Sequence, residues 1–340
     1  MRNTIPPGGA WGLAPGPRNT ICDVAGIRVG HRSLRGTGEA TGVTAILPHG
    51  GDLYRRPVPA GAAVLNGFGK SAGLVQLQEL GEIETPILLT NTFGVPACAT
   101  ALIRHAIATN PEIGRSQPTV NPLVCECNDG KVNDIQALPV READALAAIA
   151  AAAEGFEQGT VGAGSGMRTF GFAGGVGSAS RRVALEGGTG FMLGALVLSN
   201  FGEAGDLRVF GDRVATPDAT PAPDKGSVII VLATDAPLDA RQLTRLARRS
   251  AAALGRLGSY IGHQSGDIAL AFSTANVVDR TDNADIHPAT RLNEARMNAF
   301  FKAGVEAVEE AVLNAIWHGA PLPGYDGSRL PSFRETLRKR

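Results

Sequence analysis

The pair Gly226-Ser227 has the residue types and the setting for chemistry. It follows a turn-rich stretch, Val214 to Lys225 (VATPDATPAPDK), and heads a strongly apolar run, Val228 to Ala233 (VIIVLA). A serine in that position suits an enzyme that cuts its own chain and then uses the new N-terminus. Glycine tolerates backbone angles closed to other residues, so the Gly226 carbonyl could turn towards the Ser227 hydroxyl for an N-to-O acyl shift. Cleavage of the ester would free the α-amine of Ser227. Such an amine titrates at about 7.7 to 8.0, so near neutral pH part of it is unprotonated and can take the proton from its own Oγ. Nucleophile and base would then share one residue.

An isolated Gly-Ser pair also ends ordinary surface loops, so the assignment depends on companions. Downstream, the segment Gly262 to Asn276 (GHQSGDIALAFSTAN) offers Ser265 and Asp267, two residues apart at the start of a strand and therefore on one side of it. Upstream, Asn200-Phe201-Gly202 follows an apolar strand, and Cys127-Asn128-Asp129-Gly130 follows another that ends at Glu126. Several strand ends thus carry polar residues that one site could collect.

The elements that must position them alternate between strand and helix. Strands are expected at Val43 to Leu47, Ala62 to Leu65, Pro86 to Leu89, Leu123 to Glu126, Leu196 to Ser199, Val228 to Ala233 and Ile268 to Phe272. Helices are expected at Ala97 to Ala108, Glu142 to Glu154, Ala240 to Leu254 and Thr290 to Trp317, the last with apolar residues at helical spacing. This predicts an α/β domain in which sheets pack together and helices lie outside. The glycine-rich stretch Gly159 to Ser178 lacks the third glycine of a dinucleotide fingerprint and the Gly-Lys-Ser/Thr end of a phosphate loop. Close approach of loops around an active site fits it better.

Composition narrows the function classes. A chain of 340 residues with 44% apolar residues can fill a sizeable core. Lysine plus arginine equal aspartate plus glutamate at 32 each, so no net field recruits nucleic acid or an anionic membrane. The basic runs Arg245 to Arg249 and Arg334 to Arg340 read as a solvated helix face and a C-terminal end. The four cysteines, Cys22, Cys98, Cys125 and Cys127, read as buried reduced thiols, and the six histidines show no ligand spacing, so no metal is expected. The N-terminal segment has Pro and Gly where a signal peptide carries its apolar core, and no stretch approaches ~18 apolar residues. A soluble cytoplasmic protein is expected.

The ordered segments together resemble the DmpA family, the L-aminopeptidase/D-amidase/D-esterases and the related β-peptidyl aminopeptidases. They are GPRNTICDVAGIRVGH from Gly16, TGVTAILPHG from Thr41, AVLNGFGK from Ala63, PILLTNTFGV from Pro86, NDGKVNDI from Asn128, GAGSGM from Gly162, GSVIIVLATDAPL from Gly226 and SGDIALAFSTAN from Ser265. The likeness runs through nearly the whole chain. It implies a four-layer α/β/β/α sandwich of the DmpA type, cleaved after Gly226 into an α chain of residues 1–226 and a β chain of residues 227–340, in tetramers of αβ units. It implies Ser227 as nucleophile, Ser265 and Asp267 as the residues that orient and balance its amine and hydroxyl, Asn200 as an oxyanion-hole donor, and Glu126 as the holder of the substrate's amino group. Asn128 stands where several members have a tyrosine that supports the oxyanion, and Ala173 where related sequences have a lysine, with Arg168 a candidate substitute.

The expected activity is hydrolysis of an N-terminal amide, ester or peptide bond of a small aminoacyl substrate through an acyl-enzyme on Ser227, with no cofactor. The alternatives are another acyl-transfer enzyme on the same scaffold, such as an N-acyltransferase or oligoamide hydrolase, and an inactive binding protein.

Overall fold

The computed structural model describes residues 11–214, 226–325, 327 and 329–338. Of the leader Val214 to Lys225, only Val214 falls among them. Ten strands build two sheets: β1 (Arg28–Gly36), β2 (Glu39–Leu47), β3 (Val58–Gly67), β4 (Glu82–Ile83), β5 (Ile87–Asn91), β6 (Leu123–Cys127), β7 (Gly175–Ala184), β8 (Gly190–Asn200), β9 (Ser227–Thr234) and β10 (Gly266–Ser273). The first sheet has the order β1-β2-β5-β6 and the second β4-β3-β10-β9-β8-β7. The helices that cover them are α1 (Leu74–Leu80), α2 (Val95–Thr109), α3 (Glu142–Ala150), α4 (Ala240–Arg248), α5 (Ser250–Arg256) and α6 (Met297–Trp317).

Three apolar layers separate four layers of structure. Between the sheets, Ile46, Ile87, Leu89, Leu123 and Cys125 of the first meet Leu196, Leu198, Ile229, Val231 and Leu270 of the second. On the outer face of the first sheet, Val43, Ala45, Leu88 and Val124 pack on residues of α2 and α3. On the outer face of the second, Val197, Val228, Ile230, Leu232 and Ala269 pack on α4, α5 and α6. Because alternate residues of β9 enter different layers, the strand is buried on both faces and its sequence is continuously apolar. The result is the α/β/β/α sandwich.

Both sheets contain one parallel pair, β5 with β6 and β9 with β10. Each needs a crossover, and α2 and α4–α5 supply them. Polar residues at the ends of β6, β8, β9 and β10 gather where these strands begin or finish. Among the described residues, no helix is long and apolar enough to cross a membrane.

Several expected boundaries shift for local reasons. The helix from Glu142 stops at Ala150 because Ala153 instead exchanges main-chain hydrogen bonds with Val29 of β1. The expected single helix Ala240 to Leu254 is two, divided at Arg249, whose N–H donates to the nearer Leu246 carbonyl, three residues back. The last long helix starts at Met297 rather than Thr290, after a 3-10 turn at Glu294–Arg296 capped by Asn293. Within the glycine-rich stretch, Gly164 and Gly175 press main chain on main chain, and a Cβ on Gly164 would lie 2.6 Å from Gly175 Cα.

Candidate active site

Ser227 opens β9 and is 5% exposed. Its side chain alternates to the same face as Ile229 and Val231, so the hydroxyl enters the end of the layer between the sheets. That hydroxyl donates to the Gly226 carbonyl at 2.8 Å. The Gly266 N–H, on the neighbouring parallel strand, reaches Ser227 Oγ at 3.2 Å and the Gly226 carbonyl oxygen at 3.3 Å. One main-chain donor therefore touches both the hydroxyl and the carbonyl of the peptide that joins Gly226 to Ser227.

Close approach demands glycine at 226: a Cβ would sit 2.0 Å from the Asn200 carbonyl oxygen and 2.7 Å from Phe201 Cα. Gly266 is pressed in the same way, since a Cβ there would lie 2.7 Å from the Phe68 carbonyl oxygen and 3.1 Å from Ser227 Oγ.

Asn200, the last residue of β8, is directly opposite Ser227 in the antiparallel ladder. Its amide is held at both ends, because Oδ1 accepts from the Arg168 N–H at 2.8 Å and Nδ2 donates to the Asn128 carbonyl at 2.9 Å. The flanks of Gly266 bring in the other pair: Ser265 Oγ donates to Asp267 Oδ1 at 2.7 Å, with both residues buried. Asp267 is the register partner of Val228, so by alternation it occupies the helix-side face rather than the face of the Ser227 hydroxyl.

Glu126 is 2% exposed near the end of β6. Oε1 accepts from the Lys70 N–H at 2.8 Å, and Oε2 accepts from the Thr92 hydroxyl. Among the described residues, no Lys, Arg or His nitrogen forms an ion pair with it. Two glycines separate it from the nucleophile. A Cβ on Gly69 would stand 3.6 Å from Glu126 Oε1 and 3.8 Å from Gly266 Cα, and the Cβ position of Gly266 adjoins Ser227 Oγ. The Ile268 Cδ1 methyl flanks that line, 3.5 Å from the Gly69 Cβ position.

Asn128 lies beyond the strand that carries Glu126. β6 ends at Cys127, and Asn128 is exposed in a turn where its Oδ1 accepts from the Gly130 N–H at 2.8 Å. What it presents to the site is its carbonyl, which holds Asn200. Next to it, burial raises Asp129 to about 6, against the opposing hydrogen bonds of Thr41, Asn133 and Asn91. Ala173 is fully buried and offers no cation, whereas Arg168 lines the cleft in front of Gly226. This cleft, about 640 Å³, is also bordered by Asn128, Asn200, Gly202 and Tyr325. Gly226 borders the cleft, and Ser227, next in the chain, is not part of its lining.

The main-chain donors of Gly266, Lys70 and Arg168 leave no mark in a sequence. Thr92 does belong to a recognisable segment, Pro86 to Val95, but its partner lies 34 positions away. Burial pushes the thiols of Cys22, Cys98 and Cys125 up to about 12, and that of Cys127 well above its ordinary value, so none is a nucleophile near neutral pH.

Comparison with known proteins agrees with this geometry. The sequence pattern of peptidase family S58 matches residues 19–330. The β-peptidyl aminopeptidase BapA of Sphingosinicella microcystinivorans is 38% identical, over 96% of this chain and 89% of that protein. The crystal structure of the PH0078 protein from Pyrococcus horikoshii OT3 superimposes with a TM-score of 0.92 at 44% identity, covering 97% of this chain and 96% of the other. The L-aminopeptidase D-Ala-esterase/amidase of Ochrobactrum anthropi, described as a prototype for the serine aminopeptidases and a variant of the Ntn hydrolase fold, superimposes with a TM-score of 0.90 at 36% identity, covering 98% and 96%. With a glycine–serine junction at the head of a central strand, and with likeness along almost its whole length, the chain belongs to peptidase family S58 and is a hydrolase of the N-terminal-nucleophile serine aminopeptidase type.

Proposed function

We propose that this enzyme matures by self-cleavage between Gly226 and Ser227 and then removes N-terminal aminoacyl groups from small amides, esters or peptides bearing a free amine. The single observation that carries the reading is the junction itself, where Ser227 Oγ is 2.8 Å from the Gly226 oxygen and the Gly266 N–H touches both. In maturation Oγ attacks the Gly226 carbonyl carbon, the bond to the Ser227 nitrogen breaks, and that nitrogen gains the proton lost by the hydroxyl. The Gly266 N–H faces the oxygen on which negative charge develops. Water then hydrolyses the ester, leaving a carboxylate on Gly226 and a free amine and hydroxyl on Ser227. Intact mass and N-terminal sequencing test this directly: two associated chains are expected, one beginning at Ser227. A fully active preparation of uncut chain would defeat it.

In turnover, the Ser227 amine takes the proton from Oγ, which attacks the substrate carbonyl. The leaving amine or alcohol receives that proton, and water, activated by the same amine, releases the acyl group. Asn200 Nδ2 keeps one hydrogen on the Asn128 carbonyl and turns the second to the oxyanion. Ser265 and Asp267, on the helix-side face, act on the amine rather than on Oγ. Asn128 acts through its carbonyl. The tetramer of αβ units and a cytoplasmic setting belong to the same proposal; the four buried, unbridged thiols fit a reducing compartment.

Glu126 is proposed as the amine anchor, because a nearly buried carboxylate with two neutral donors and no cation among the described residues is completed by a substrate ammonium. Glu126→Gln keeps the shape, so kcat/KM for free-amine substrates should fall by roughly 10- to 100-fold, the scale of one hydrogen bond to a charged group. Maturation should proceed as before. Equal use of free and N-acetylated amides by the unmodified enzyme would remove this role. Gly226→Ala should slow maturation at least about tenfold, since moving its Cβ away from the Asn200 carbonyl misplaces the scissile carbonyl. The fraction that does mature should turn over normally, as residue 226 has then left the nucleophile; a time course on a denaturing gel with active-site titration reads both.

A further inference from the structure

We infer that Thr92 is the positioning residue of the aminoacyl subsite, fixing the Glu126 carboxylate so that its open side meets the substrate amine. The inference rests on Glu126 as amine anchor. A carboxylate at the end of a flexible side chain can rotate, and an anchor that rotates spends part of its binding free energy on being ordered. Here the two oxygens are held from different elements: Oε1 by the Lys70 N–H in the loop after β3, and Oε2 by the Thr92 hydroxyl in the turn after β5. Rotation would break both bonds.

Thr92 is itself well fixed. It opens the 3-10 turn Thr92–Gly94, which Asn91 caps by accepting from the Gly94 N–H at 2.7 Å. Asn91 Nδ2 in turn donates to Thr41 Oγ1 of β2 at 3.0 Å. A β-branched side chain on such a turn has few rotamers to lose, so its hydroxyl is aimed at little entropic cost. The hydroxyl also spends its one proton on Glu126, which leaves that oxygen as acceptor only and therefore able to bind a cation rather than repel it.

The test compares an aminoacyl p-nitroanilide with its analogue in which hydrogen replaces the amine, using unmodified enzyme, Thr92→Val, Thr92→Ser, Glu126→Gln and the double variant Thr92→Val/Glu126→Gln. Valine keeps the shape of threonine and removes the hydroxyl. The expected result is a KM for the free-amine substrate raised roughly tenfold in Thr92→Val, as for loss of one hydrogen bond to a charged group, with kcat within about twofold. Thr92→Ser should restore KM, the amine-free analogue should be hydrolysed at the unmodified rate, and the double variant should be no worse than Glu126→Gln alone. If Glu126→Gln raises KM and Thr92→Val does not, the positioning role is wrong while the anchor stands. If Thr92→Val slows both substrates equally or stops maturation, Thr92 is only structural, and the inference fails. If Glu126→Gln leaves KM unchanged, the anchor itself fails and takes the inference with it.

Discussion

Ser227→Ala should remain one chain of 340 residues and show no turnover above background. The substitution removes one oxygen atom, and in the proposed mechanism that oxygen serves twice. In the uncut protein it is the group that donates to the Gly226 carbonyl at 2.8 Å, so without it no ester can form and the α-amine is never released. In turnover it is the atom that becomes acylated. Loss of a nucleophile that works as a unit with its base costs on the order of 10⁶ in kcat, larger than any effect expected elsewhere in this site. The fold should survive, because the methyl group of alanine stays in the layer between the sheets with Ile229 and Val231, and the ladder with Asn200 and Gly266 uses main chain. Ser227→Cys separates the two steps. A thiol can make the same acyl shift, so partial maturation is expected, with slower turnover. The measurements are intact mass, N-terminal sequencing and amide hydrolysis on the same preparations. Normal hydrolysis by the alanine variant would exclude Ser227 as nucleophile.

The sequence shows the site most clearly where burial makes the pattern continuous. β9 is apolar from Val228 to Ala233 because both its faces are covered, and Ser227 interrupts that pattern at its head. β1 and β7 left no such trace. In β1, the exposed Arg28, Arg32 and Arg35 break up the apolar pattern of an edge strand. In β7, Gly175 to Ser178 fall in the glycine-rich stretch read as loop, and the buried Arg181 further along is matched by Glu306 and Glu310 of α6, 3.2 and 2.6 Å away. Neither compensation is visible along the chain. The same limit explains the site's supporting contacts. Lys70, Thr92, Arg168 and Asn128 act through main chain or across 32 to 72 residues of sequence, and only the sheet register brings them together. The residue types were legible at Asn200 and Glu126. The manner in which each is held was not.

That holding decides what a change at Asn200 should do. Asn200→Ala should lower kcat by roughly 10² to 10³, the usual scale for removing one oxyanion-hole donor, with a smaller change in KM. The donor is aligned before substrate arrives, since the Arg168 N–H fixes Oδ1 and the Asn128 carbonyl fixes one hydrogen of Nδ2. In the proposed role the remaining hydrogen serves the carbonyl that the serine attacks, Ser227 being its partner in the ladder. Asn200→Asp keeps the size and the bond from Arg168 but replaces the donor with a carboxylate oxygen. It then sets a negative charge against both the developing oxyanion and the Asn128 carbonyl, so Asp should be worse than Ala although it is the closer match in shape. A purely structural role predicts the reverse order, because Ala leaves the Arg168 N–H and the Asn128 carbonyl without their partner. Maturation should report the same hierarchy if the Gly226 oxyanion also draws on this amide, while the Gly266 N–H retains part of the rate. Single-turnover kinetics on fully matured protein, with thermal unfolding as a control for folding, measure the order. A loss confined to KM would place Asn200 in uniform substrate binding and leave the oxyanion to main-chain donors.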